Sequence, residues 1–136
     1  MLKTGELAQI EALAAAAIAK DGRTSISQWR DVELTPDGLA GCEHVVVFVP
    51  RYRIDWEGLN NVVTPAALEC LSAYGASYQS NAAIYPRCIR QDSGGRAYTR
   101  WLGRVIAHEL LHQVGIHDND GSALMKGHPS RDDMAQ

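Results

Sequence analysis

The 136-residue chain is poor in cysteine, has a single phenylalanine and carries no excess of positive charge. Its three cysteines, Cys42, Cys70 and Cys88, are too few and odd in number for a disulfide scaffold. They read as buried or surface thiols, with one bridge plus one free thiol as the arrangement that would suit an exported protein. Thirteen basic against sixteen acidic side chains give a net charge of −3, so no overall positive field exists to hold nucleic acid or anionic lipid. The longest apolar stretch, Leu13 to Ala19, is flanked by Glu11 and Lys20 and falls short of the ~18 residues of a membrane helix. Neither nucleic acid nor membrane is expected as a partner. The Ala-rich stretch reads as a helix of the domain and not as an export signal, because Glu6, Gln9 and Glu11 occupy the positions of a basic head and apolar run. The compartment stays open: secreted or periplasmic if a signal peptide preceded residue 1.

What is present is the balance of a packed core, with 46% apolar and 21% charged residues in a length that fits one domain, residues 1–136. Leu7, Ile10, Leu13, Ala14, Ala17 and Ile18 follow the three-and-four spacing of a helix stripe, with Thr4 placed to cap it and Asp21-Gly22 to end it. Ile26 to Leu34 reads as a strand around Trp29, and Pro36 to Gly41 as turn. His44 to Val49 is a β-branched and aromatic run between Gly41 and Pro50, the pattern of a strand buried on both faces. Thr64-Pro65 and Gly75 bracket a short helix around Leu68 and Leu71. Ser77 to Tyr85 alternates and is closed by Pro86, as in a strand near a sheet edge, and Asp92 to Gly95 reads as loop. From Ala97 to Val114 the apolar residues spread almost round a helix, which must then be buried on most sides.

Within that helix lies His108-Glu109-Leu110-Leu111-His112. Two imidazoles four residues apart share one helical face and reach a single ion. Zinc favours nitrogen ligands in a tetrahedral set, and a catalytic site leaves its fourth position to water. Glu109, beside the first imidazole, is placed to take a proton from that water while the ion polarises a carbonyl. Gly115, three residues after His112, suits a left-handed helix stop that sends the chain back towards the metal.

The order H-E-L-L-H-Q-V-G-I-H-D, followed by Gly121-Ser122-Ala123-Leu124-Met125, resembles the metzincin family of zinc peptidases, whose pattern is H-E-x-x-H-x-x-G-x-x-H/D with a later methionine turn. The resemblance covers residues 98–130, and within the family the chain looks most like small bacterial matrixin-like or snapalysin-like peptidases. It implies an α+β, compact zincin/metzincin-like domain: an N-terminal helix and twisted mixed β-sheet, a buried active-site helix, and a short C-terminal lobe. Residues 1–115 would form the upper lobe with sheet and active-site helix, and 116–136 the lower lobe with the methionine turn. By the same resemblance His108 and His112 are zinc ligands, Glu109 the general base, Gly115 the turn and Met125 the floor beneath the metal. The third ligand is Asp118 by strict spacing or His117 by the length of the stretch to Met125, and the residue not used has a role in bonding the neighbouring imidazole. The implied activity is hydrolysis of a peptide or protein substrate by a monomer; the alternative is a zinc-stabilised, non-catalytic binding domain.

His128 is a candidate for substrate or oxyanion contact, against the plainer reading of an exposed histidine. Pro86-Arg87-Cys88 with Asp92 resembles the matrixin prodomain switch, but Cys88 lies only twenty residues before His108, in what should be sheet. Arg87, Arg90, Arg96, Arg100 and Arg104 read as a solvated rim or as an attraction for acidic substrates. Asp118 to Gly121 lacks the spaced oxygens of a calcium loop. A peptide could add to the strand near Ser77–Tyr85, which makes Ala82 and Ala83 candidate backbone contacts.

Overall fold

The computed structural model describes residues 4–32, 35–48, 74–78, 81–94, 97–119, 123–125 and 134. It is a small α+β fold. Helix α1 spans Thr4–Asp21, a short helix α2 Pro36–Leu39, helix α3 Pro86–Ser93 and helix α4 Tyr98–Gln113. Strands β1 (Val45–Phe48), β2 (Gly75–Tyr78) and β3 (Asn81–Ile84) form a mixed sheet in the order β1-β3-β2. β1 runs parallel to β3, with Val45 opposite Asn81, and β2 antiparallel to it, with Gly75 opposite Ile84. A single turn of 3-10 helix, Ala123–Met125, follows α4.

The N-terminal helix ends as its sequence predicts. Gly22 takes φ +85° and donates its N–H to the Ile18 carbonyl, so the left-handed residue closes the last turn. Its stripe of Ile10, Ala14 and Ile18 is buried against α4. The two helices approach closely because Gly103 has no side chain: a Cβ there would lie 2.8 Å from Leu13 Cβ. Around α4, Trp101, Leu102, Val105, Ile106, Ala107 and Leu111 are all buried, and the helix touches α1, α3, β2, β3 and the 3-10 turn. The near-circumferential apolar pattern thus matches a helix enclosed by the rest of the fold.

Several expectations are corrected. Residues 26–32 form no strand; the chain there is irregular, and the expected alternation was too short to specify a partner. β1 is half-buried along its length, not buried on both faces, because it lies at one end of the sheet among the described residues. Ser77–Tyr85 is two strands: β2 and β3 pair antiparallel as a hairpin, so alternation of two successive strands reads as one. Asp92 and Ser93 are helical, since Pro86 starts α3 at its first turn and Gly94 ends it at φ +67°. The expected helix after Thr64 lies outside the described residues. Among those described, no helix is long and apolar enough to cross a membrane.

Candidate metal centre

The four-residue spacing on α4 brings the imidazoles of His108 and His112 into edge-to-face contact, with ring centroids 4.6 Å apart and Nε2 atoms 3.0 Å apart. Just beyond them the helix reverses. Gly115, at φ +92°, donates to the His112 carbonyl at 3.0 Å and Ile116 to the Leu111 carbonyl at 3.1 Å, the paired bonds of a glycine-terminated helix. Ile116 also packs on the cluster that contains Leu111, which secures the reversal. The returning chain places Asp118 Oδ1 3.0 Å from His108 Nε2 and 3.0 Å from His112 Nε2. His117 is exposed, and among the described residues none of the imidazole contacts is with it.

The other ring nitrogens settle the chemistry. His108 Nδ1 bonds the Leu124 carbonyl and His112 Nδ1 the Ile116 carbonyl, each at 2.8 Å. A carbonyl only accepts, so both Nδ1 atoms carry hydrogen and in the neutral rings both Nε2 atoms present lone pairs. Two lone pairs and a carboxylate oxygen therefore face one another at 3.0 Å. Three acceptors so close repel unless a cation lies among them, either a proton on one ring or a metal ion. A metal fits: His108 Nε2, His112 Nε2 and Asp118 Oδ1 lie close enough together that they would hold one ion. Imidazole nitrogen and carboxylate oxygen donors suit a divalent transition metal.

Glu109 is buried, 5% exposed. One donor atom from each of His108, Glu109 and His112 lies within 4.8 Å of the others, so these three could hold a metal ion. The single O–H of Ser77, from β2, is shared between two acceptors of Glu109, its main-chain oxygen (2.8 Å) and Oε1 (3.0 Å). Burial raises the Glu109 pKa from its ordinary value; His108 when protonated, the Ser77 hydrogen bond and His112 when protonated oppose the rise, and Asp118 adds to it.

Met125 is fully buried with Ile18, Ala107, Leu111 and Leu124. Its carbonyl accepts the N–H of Asn119, which sits in the left-handed region at φ +62° and so ties the Asp118 turn to the 3-10 turn. His128 lies outside the described residues. Sequence reasoning missed Ser77 and the two carbonyls. The carbonyls carry no residue signature, and Ser77 becomes visible only once β2 is laid against α4.

Ala82 and Ala83 are corrected as substrate contacts: both are buried on β3, the central strand, whose two sides are paired with β1 and β2. Cys88 is helical and buried, not in the sheet, and Cys42 is a free thiol. The arginine stretch is not a uniform rim. Arg104 is buried on α4, whereas the exposed Arg90 stacks its guanidinium over the Tyr98 ring at 4.2 Å. Arg96 lies outside the described residues.

Comparison with known protein families, with curated proteins and with solved structures finds no match to this chain.

Proposed function

We propose that the chain is a zinc-dependent endopeptidase of metzincin-like architecture, with His108, His112 and Asp118 as zinc ligands and Glu109 as general base. The observation that carries this reading is the convergence of three acceptor atoms at 3.0 Å, with both ring tautomers set by main-chain carbonyls. Asp118 is preferred to His117 because its oxygen is equidistant from both imidazoles. When bound, zinc supplies Lewis-acid polarisation of a carbonyl and lowers the pKa of water towards ~7.

The chain's own residues do the rest. Glu109 Oε1 is engaged by Ser77, which leaves its second carboxylate oxygen to accept the proton of an attacking water and deliver it to the departing amine. A raised pKa suits that exchange, since a base that must also act as acid works best near the ambient pH. Substrate is proposed to lie along β2, which is paired on one side only among the described residues, and to gain main-chain hydrogen bonds as an added strand.

A second reading, a zinc-stabilised binding domain, is favoured by the way the Ile116 and Leu124 carbonyls couple the imidazoles to the C-terminal turns. Glu109→Gln separates the two. In a peptidase it abolishes turnover while zinc stays bound; full activity in that variant would remove Glu109 as base.

A further inference from the structure

The site is held from two independent sides. The imidazoles and Asp118 depend on the turns after α4, through the carbonyls of Ile116 and Leu124. Glu109 depends instead on the sheet. Gly75 and Ser77 are two apart on β2 and so share one face of the strand. A Cβ on Gly75 would lie 3.1 Å from Glu109 Cγ, and it would also crowd Ala83 O at 3.1 Å and Ile84 Cδ1 at 3.2 Å. A side chain at position 75 would therefore crowd the stem of Glu109. Two residues on, the Ser77 hydroxyl meets the head of the same side chain at 3.0 Å and the main-chain oxygen at 2.8 Å. Ser77 is itself fixed by its register opposite Ala82.

We infer that Ser77 is a positioning residue: its hydroxyl selects the one Glu109 rotamer that places the carboxylate beside the metal site, with Gly75 leaving room for the stem. The use of that position in catalysis rests on the peptidase reading; the positioning itself does not. A glutamate side chain has three rotatable bonds, so a contact at its stem alone does not fix its oxygens. The hydroxyl supplies the second point. A misplacement of about 1 Å in a reacting group costs on the order of a hundredfold in rate.

The test compares Ser77→Ala, Ser77→Thr and Glu109→Gln with the wild type. Crystal structures of the metal-free proteins report the carboxylate position, and turnover of an internally quenched peptide by the zinc-loaded proteins reports its use. Expected are a Glu109 carboxylate displaced by about 1 Å or split between rotamers in Ser77→Ala, with kcat down ~10- to 100-fold at unchanged KM and zinc content. Ser77→Thr, which keeps the hydroxyl, should restore both position and kcat. A carboxylate unmoved in Ser77→Ala overturns the inference, as does an unchanged kcat alongside a dead Glu109→Gln. If Glu109→Gln itself retains full turnover, or the wild type cleaves nothing, the peptidase reading falls, and the carboxylate position still decides the role of Ser77.

Discussion

His108 Nδ1 donates to the carbonyl oxygen of Leu124 at 2.8 Å, so a main-chain atom sixteen residues further on sets the tautomer of the first imidazole on α4. The turn that offers this carbonyl is anchored by Met125, which is fully buried with Ile18, Ala107, Leu111 and Leu124. Met125→Ala should therefore cost stability and metal affinity together: about 2–5 kcal/mol for truncating a buried methionine, and ~10- to 100-fold in zinc affinity for loosening the partner of a ligating imidazole. Chemical denaturation and competitive zinc titration measure the two. A variant that loses stability but binds zinc as tightly as the wild type would contradict the coupling.

Gly103 offers a test of the α1–α4 contact. Alanine is normally favoured over glycine inside a helix by ~1 kcal/mol, yet here its Cβ would come within 2.8 Å of Leu13 Cβ. Overpacking of about 1–3 kcal/mol should outweigh the propensity gain, so Gly103→Ala is expected to lower the unfolding midpoint. A raised midpoint would mean that the helices separate at little cost.

Gly115 tests the helix reversal in a different way. Nothing lies within 4 Å of a Cβ built there, so the cost of Gly115→Ala is purely that of φ +92° for an L-residue, roughly 1–2 kcal/mol. Because the same turn delivers the Ile116 carbonyl to His112 and Asp118 to both rings, zinc affinity should fall as well. Unchanged stability and affinity, by denaturation and titration, would show that the turn does not depend on glycine.

The buried carboxyl of Glu109 gives a pH dependence with a definite sign. Its folded-state pKa is raised above the ordinary value of 4.5 by burial, so the folded metal-free chain holds that proton more tightly than the unfolded chain. The linked stabilisation is complete below the ordinary value and is lost as pH rises through the raised one. Glu109→Gln has no such proton to lose, and Ser77 can still donate to its amide oxygen. Thermal unfolding of the metal-free proteins should show the variant gaining on the wild type as pH rises from 4.5 towards neutrality. Parallel curves would contradict the raised pKa.

Much of this arrangement was legible in the residues. The four-residue spacing of His108 and His112 placed both rings on one face, and the glycine at 115 marked where α4 would stop, because helix geometry and φ > 0 are local properties. The alternation over Ser77–Tyr85 reads as one strand because two hairpin strands of four residues keep the same period, and only pairing distinguishes them. That error moved the sheet edge from β2 to β3 and made Ala82 and Ala83 look like substrate contacts. The choice between Asp118 and His117 could not come from spacing, because neighbouring residues differ only in which way the turn points them. Ser77 was invisible for the same reason: its partner is thirty-two residues away, and the contact exists only after β2 packs on α4.

The most direct test of the central claim is the metal content of the purified protein by elemental analysis, made on the wild type, Asp118→Ala and His117→Ala after equilibration with zinc and removal of the excess. About one zinc per chain in the wild type is predicted from a single three-donor site, kept in His117→Ala and lost in Asp118→Ala. A wild type that takes up no zinc would contradict the metal centre outright, and zinc lost from His117→Ala but kept in Asp118→Ala would contradict the ligand set.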